Sequence, residues 1–571
     1  MSSSAIVVGA GPAGCVAALA LRKLGHEVTL LERATAPEYK IGESFLPGTL
    51  SILQRLGLMD RINAAGFVRK PSATFIWGAD AAPWTFSFAT PCPEPWIFDH
   101  AIQALRAEFD GLLLDAARDA GADVRMGHNI AKIDLSDASR VSVDWRTPTD
   151  HGRLSASFLV DASGQAGLIA RAHKLRRYDE FYRSLAVWNY FRATRKFTGD
   201  LNGTTFSITF RDGWIWMIPL KDGTYSVGAV VDMESLPRLK EIGEDAFLHE
   251  CLAAAPEVST IVDIEHPQSH TRIIREWSYD ADKFSFGRVF MCGDAACFTD
   301  PLFSQGVHLA TQSAVCAAAS IDYLLRHPEK EASVHGWFDR SYRESYSQYH
   351  EFLASFYSYA SRLMPDSPFW SKRRIGNLAD KRFENKLWFS SLTGQTTNTE
   401  EGDLIDEFVS RSGNMISIGQ HLRKNLSEDF TEAELAGARL NWITQLTKSL
   451  NRIVRLHWQG DDVRLYAIYK VEPLTFKLRE YFVVGNEKGV RMQKYPLNEQ
   501  YRSILASLNQ EPIGYKELIR RFKQIEERDI SSQIVVRLME AGLLRGYDKN
   551  GAPVSIQRRL RFDGVGAEYE V

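Results

Sequence analysis

The feature that most constrains this chain is a glycine pattern at its start. Gly9-x-Gly11-x-x-Gly14 lies between a short β-branched segment, Ala5–Val8, and a stretch with helical apolar spacing, Gly11–Leu24. Gly25 ends that helix, and Glu27–Leu31 returns as a second strand. Only glycine permits so tight a turn, and it lets backbone N–H groups close on a pyrophosphate at the start of the helix. Glu32, at the end of the second strand, is placed to accept hydrogen bonds from an adenosine ribose, with Ala13 and Arg33 flanking the same site. A glycine pattern alone says little. Between a strand and a helix, with an acidic residue closing the next strand, it predicts a dinucleotide-binding βαβ unit.

The rest of the chain must be consistent with that unit. It has 571 residues, 44% hydrophobic and 24% charged, which is ordinary globular usage and excludes global disorder. A formal net charge of −3 gives no overall attraction to phosphate backbones, so a nucleic-acid coat protein is not expected. Six cysteines (Cys15, Cys92, Cys251, Cys292, Cys297 and Cys316) are too few for a disulfide framework, and no C-x2-C pair suggests zinc. A reduced, cytoplasmic protein fits this usage. The apolar run Ala5–Leu21 lacks a positive flank and carries the fixed glycines, so it reads as structure and not as a leader. Gly306–Leu325 contains His308, Gln312 and Asp322 and does not read as a membrane span.

Along the chain, strands are predicted at Phe158–Asp161, Thr204–Phe210, Trp214–Pro219, Ser226–Val231 and Val289–Cys292. Helices are predicted at Thr49–Leu56, Ala101–Ala120 and Val307–Leu325. The expected fold is α/β: a Rossmann-type domain of the aromatic-hydroxylase kind with an inserted β-sheet substrate layer, over residues 1–365. The turn Pro365-Asp366-Ser367-Pro368 marks a change in composition. Residues 366–571 are expected to form an α+β C-terminal domain, helical to about 455 with a surface loop at Thr393–Glu401. Strands follow over 456–495, and a winged-helix-like segment over 497–571 ends in a hairpin around Tyr547–Gly551.

Three further elements choose FAD over NAD. Val160-Asp161-Ala162-Ser163-Gly164 follows a strand and resembles the DG motif of flavin monooxygenases. Cys292-Gly293-Asp294-Ala295-Ala296 resembles their GD motif, whose Asp contacts the ribityl chain. Arg106, with Phe109-Asp110-x-x-Leu113, resembles the helix that turns an Arg toward the flavin. Singly, these read as a turn glycine, a strand-end Asp and a solvated Arg; their order along the chain points to FAD.

With those elements in place, Trp214-Ile215-Trp216-Met217-Ile218-Pro219 resembles the W-x-W-x-I-P signature of the flavin-dependent halogenases. Two Trp at i and i+2 of a strand share one face. An isolated pair is more often core packing. Here the resemblance implies a wall that separates substrate from flavin. The loop Asp300-Pro301-Leu302-Phe303-Ser304-Gln305-Gly306 resembles the family's halide loop and precedes a helix. The resemblance implies halide at the amides of Gln305 and Gly306, with Pro301 and Gly306 beside the flavin and Ser304 in the reaction site. Ser304 also reads as a helix N-cap. Where tryptophan halogenases place a catalytic Glu, this sequence has Phe303, so glutamate-assisted indole chlorination is not expected.

Lys70, in Val68-Arg69-Lys70-Pro71-Ser72-Ala73, matches the lysine that captures hypohalous acid in the family. An ammonium polarises the acid's oxygen, whereas a neutral amine is itself chlorinated, and burial favours the second. The similarity extends through Gly42-Glu43-Ser44-Phe45-Leu46-Pro47 and Gln533–Gly542, and is nearest to the branch that serves chloramphenicol biosynthesis. It implies that reduced FAD and O2 oxidise chloride, that an NAD(P)H-dependent reductase supplies the electrons, and that the acceptor is an activated aliphatic acyl group held on an acyl or peptidyl carrier protein. It also implies a covalent flavin ester through Asp280, with Ser44 and Tyr349 near the cofactor. An oxygen-inserting monooxygenase is the alternative, and the Trp pair argues against it; a phenolic acceptor is the alternative substrate. The basic stretch Tyr515–Lys523 is a candidate carrier-protein face, with nucleic acid the less favoured partner and an ordinary solvated face equally compatible.

Overall fold

The computed structural model describes residues 4–78, 83–89, 97–373, 432–486, 497–509, 513–525 and 531–556. Its residues fall into two units, Met1–Gly402 with Val471–Leu478, and Asp403–Lys470 with Arg479–Val571.

In the first unit a six-stranded sheet begins from the glycine-marked strand. Ser4–Val8 pairs in parallel with both Glu27–Leu31 and Phe158–Asp161, and Val289–Met291 and Asp123–Arg125 extend the sheet on either side. The helix Pro12–Lys23 packs on the helix Gly306–Arg326. His308 is buried in the latter.

A second, larger sheet runs Cys297–Phe298, Arg272–Ala281, Arg176–Ala193, Thr224–Asp232, Gly213–Pro219, Thr205–Phe210, Ser72–Ile76 and Trp84–Ser87. Its two faces differ, as the period of two demands. Ile215, Met217, Val227, Ala229 and Val187 point into an apolar core against Phe247, Leu248 and Leu252 of the helix Glu244–Ala253. The alternate positions, Trp214, Trp216, Trp188 and Gly228, point the other way. A Cβ at Gly228 would stand 2.3 Å from the Trp216 ring and 2.4 Å from Cβ of Trp188. Glycine there is what lets the indoles of neighbouring strands meet.

Two expectations are corrected. Ala101–Gln103 is not helical; it is a strand paired antiparallel with Val68–Lys70, and the helix runs Arg106–Asp119. Pairing with a distant strand overrides the helical composition of that stretch. The first unit also continues beyond residue 365. Trp370, fully buried, packs 5.4 Å from Trp77, and its Nε1 donates to the carbonyl of Phe210 at 2.9 Å.

In the second unit, the helices Glu499–Ala506, Tyr515–Phe522 and Ser531–Glu540 bury Leu505, Leu518, Phe522, Ile534 and Leu538 together. Leu544–Tyr547 pairs antiparallel with Arg455–Trp458, and Tyr547 bridges Pro553. Of the expected helical run from 366, Glu432–Arg452 is described; Thr393–Glu401 and Cys92 lie outside the described residues.

Candidate active site

The two sheets of the first unit enclose a cavity of about 850 Å³ that extends from the glycine turn to the Trp strand. At its inner end Gly9 has φ +101°, and a Cβ there would lie 2.3 Å from the carbonyl of Ala162. A Cβ on Gly14 would meet Gly9 O at 1.8 Å. Gly11 instead faces open space in the cavity wall, with Lys40 Nζ 3.9 Å from its notional Cβ. This is a backbone cradle with room for a pyrophosphate, and Ala13 completes it.

Glu32 lines the cavity and does more than face a ribose. Its carboxylate accepts from Ala10 N–H at 2.7 Å and Ala34 N–H at 2.9 Å, tying the turn to the end of the next strand. Carboxylate oxygens accept more than one hydrogen bond, so ribose recognition remains open to it. Arg33 lines the same end. Arg106 is held by two 3.0 Å bonds to Asp110 and one of 2.8 Å to the carbonyl of Ile41, which aims its guanidinium at the cavity. Asp294 faces the cavity too, with its carboxyl raised to about 6 by burial against the pull of Arg106 and Arg176.

Asp161 is placed differently. Its oxygens accept from the N–H groups of Ser163 at 3.0 Å and Ile169 at 2.8 Å, and the lining residues are its neighbours Ala162, Ser163 and Gly164. Its carboxylate shapes the turn whose residues line the cavity. Asp280 ends the strand Arg272–Ala281, where it is ion-paired with Arg343, and it is not among the lining residues. Tyr349 is buried in the helix Glu331–Leu363, away from the lining, and burial pushes its phenol up.

At the outer end stand the tryptophans. Trp214 and Trp216 are 1% and 5% exposed, both line the cavity, and their rings are 6.2 Å apart. Trp188, which carries no motif in the sequence, extends the wall at 6.4 Å from Trp216.

Lys70 lies in a second, small cavity of about 20 Å³. Thr205, Ser207, Leu302 and Ser304 line both cavities and so form their shared boundary. Lys70 is 1% exposed; its Nζ donates to Ser44 Oγ at 2.8 Å, the carbonyl of Phe45 at 3.1 Å and Ser304 Oγ at 3.5 Å, and lies 5.5 Å from the Phe88 ring. Burial without a carboxylate partner among the described residues lowers it to about 7. Arg69 beside it is exposed and paired with Asp99 at 2.9 Å.

Ser304 has φ +60°, left-handed backbone that costs a non-glycine residue energy. That kink turns the chain from Pro301 into the helix that starts at Gly306, and both of those residues line the cavity. Gln305 points inward, its Nε2 donating to the carbonyl of Asp300 at 2.5 Å. Phe303 packs with Phe75, Phe352 and Phe356, at 5.9, 4.8 and 5.2 Å.

Glu43 carries no motif-based role in the sequence. Glu43 is fully buried, lines the large cavity and accepts from Tyr190 Oη at 2.9 Å and Tyr39 Oη at 3.2 Å; burial raises its carboxyl. Its only signal was a Glu inside an otherwise small and apolar segment. Among the described residues no group of three His, Cys, Asp or Glu side chains could hold a metal, and no helix is long and apolar enough to cross a membrane.

A glycine turn opening onto a large cavity, Arg106 and Asp294 along it, tryptophans in its lining and a buried lysine in the adjoining small cavity together fit a flavin site. Comparison with known proteins agrees. Residues 2–333 match the FAD binding domain family, and residues 442–559 match the chloramphenicol halogenase CmlS C-terminal domain. The chain is 50% identical to the crystal structure of CmlS, a flavin-dependent halogenase, over 99% of this chain and 100% of that one, with a TM-score of 0.73. It is 35% identical to the myxobacterial chondrochloren halogenase CndH, covering 69% of this chain and 90% of that one, with a TM-score of 0.61. A tryptophan 2-halogenase of Chondromyces crocatus is 33% identical over 66% of this chain and 71% of its own length. The chain belongs to the flavin-dependent halogenases, enzymes of natural-product biosynthesis that use FAD.

Proposed function

We propose that this enzyme chlorinates an activated aliphatic acyl group carried as a thioester on a carrier protein, with Lys70 delivering the chlorine. The observation that carries the reading is Lys70 itself, buried, lowered to about 7 and bonded to Ser44 of the large cavity's lining and to Ser304 of the shared boundary. When bound, reduced FAD with O2 supplies the oxidising power that turns chloride into hypochlorous acid. Electrons come from a separate NAD(P)H-dependent reductase. Halide is held at the amides of Gln305 and Gly306, where the start of a 21-residue helix favours an anion.

Trp214, Trp216 and Trp188 keep the acceptor from the flavin, so the small oxidant must cross at Ser304 and Thr205 to reach the amine. A substantial fraction of Lys70 is neutral near pH 7. That amine attacks chlorine, giving a chloramine and water; the enol carbon of the acyl thioester then takes the chlorine and returns the amine. The resemblance to the chloramphenicol branch extends through the C-terminal unit, and this favours the carrier-bound acceptor. Asp280 as the covalent flavin attachment and Tyr515–Lys523 as a carrier face belong to the same proposal. In that helix, Glu517 pairs with Arg520 and Arg521.

The test is turnover with reductase, O2 and chloride, offering a carrier-bound β-keto thioester and an activated phenol in parallel, read by mass spectrometry. A chlorine isotope pair on the thioester, lost in Lys70→Ala while flavin oxidation continues, is expected. Chlorine on the phenol alone would refute the acyl reading. Oxygen insertion without chlorine would refute delivery through Lys70.

A further inference from the structure

The Trp wall and the loop Asp300–Gly306 come from different parts of the chain, yet one hydrogen-bonded line joins them. Trp214 Nε1 donates to Tyr357 Oη at 2.6 Å, and Tyr357 donates to Asp300 Oδ2 at 2.7 Å. The other Asp300 oxygen accepts from Leu302 N–H at 3.1 Å. All three side chains are buried, Tyr357 completely and the other two at 1–2% exposure. The direction of the line is fixed by chemistry. Indole only donates and carboxylate only accepts, so the phenol must take from one and give to the other. Asp300 is also fastened through its backbone: its N–H donates to Ser278 Oγ at 3.1 Å, and its carbonyl accepts from Gln305. Tyr357 itself is wedged among Trp370, Tyr182 and Trp77, with Arg373 at 5.9 Å from its ring, so its hydroxyl has little freedom.

We infer that Tyr357 is a positioning residue that holds the Trp214 indole and the Asp300–Gly306 loop in one geometry, so that the wall and the halide-binding amides are set together. The inference rests on the halide reading of that loop. Tyr357 itself lines neither cavity; it reaches the large one only through its bond to Trp214, and it takes no part in bond making. Without its hydroxyl, an indole N–H and a carboxylate oxygen are both left buried and unpartnered. Water or movement must then satisfy them, and the loop is the part able to move.

The test uses the full-length, FAD-loaded enzyme and the variants Tyr357→Phe, Asp300→Asn and the double variant. Hydrogen exchange across residues 299–309 should quicken at least tenfold in Tyr357→Phe, because Leu302 N–H loses a fixed acceptor. In turnover, the KM for chloride should rise about tenfold, the order expected for a lost bond to a charged group, while kcat at saturating chloride falls less than threefold. Asp300→Asn removes the charge that is stranded in Tyr357→Phe and keeps the shape, so the double variant should be no worse than the worse single one. Unchanged exchange, a chloride KM within twofold of wild type, or single effects that multiply would each overturn the coupling. If the wild type gives no chloride-dependent product, the halide reading fails, and the exchange comparison still decides whether Tyr357 couples the two elements.

Discussion

Replacing Lys70 with Met keeps an unbranched stem in the same slot and removes the amine. Lys70 has an ordinary value of 10.5 and sits at about 7 in the folded protein because it is buried. Above pH 10.5 neither state is protonated at this site. Between about 7 and 10.5 the unfolded chain binds the proton and the folded chain does not, so stability rises with pH across that window. Below 7 both bind it and the full cost stands, about 5 kcal/mol against the folded state. By linkage the cost is about 5 kcal/mol at pH 6 and about 2 kcal/mol at pH 9. Met carries none of this. It does forfeit the bonds to Ser44, Phe45 and Ser304, but that loss does not vary with pH, so it drops out of the comparison. The stability of Lys70→Met relative to wild type should therefore shrink by about 3 kcal/mol from pH 6 to pH 9. Urea unfolding of both proteins at four pH values, followed by flavin fluorescence to report the first unit, measures this directly. A difference that stays constant with pH would mean that Lys70 titrates as an exposed lysine, and the chloramine route would lose its chemical basis.

Other outcomes follow from the same geometry. Gly228→Ala forces a methyl group against Trp216 and Trp188 and should cost about 1–3 kcal/mol in thermal unfolding, with chlorinated product per flavin oxidised falling as the wall opens. Glu32→Ala removes two charge-assisted bonds to backbone N–H groups of the cofactor turn and should weaken FAD binding by about ten- to a hundredfold in titration calorimetry, chiefly through loss of the turn. If Asp280 esterifies the flavin, denatured and desalted wild-type protein stays yellow and Asp280→Asn does not; a colourless wild-type pellet would refute the linkage.

Much of the site was legible because its parts are backbone-dictated. Glycines at 9 and 14 are required by contacts of 2.3 and 1.8 Å that no side chain tolerates, and two Trp at i and i+2 must share a face. What escaped was set by tertiary contact. Ala101–Gln103 looks helical until a distant strand pairs with it. Trp188 has no motif around it and joins the wall only because Gly228, on the neighbouring strand, leaves space. Tyr357 stands in a helix crowded with aromatics, where nothing in the spacing distinguishes a hydrogen-bonding phenol from packing. The DG spacing likewise does not show that the Asp161 carboxylate accepts from the N–H groups of Ser163 and Ile169, a contact five residues beyond the motif's glycine.

Phe303 bears on attempts to redirect the enzyme. The resemblance of its loop implies an acid at this position in the indole-chlorinating enzymes, whereas this chain has a ring packed with Phe75, Phe352 and Phe356. A carboxylate introduced there would replace a ring packed on three others and share a small cavity with Lys70, so it would disturb both the cluster and the titration of that amine. Chemistry borrowed from one branch of these enzymes cannot be grafted onto another by exchanging a single letter, because the surrounding rings would have to be redesigned with it.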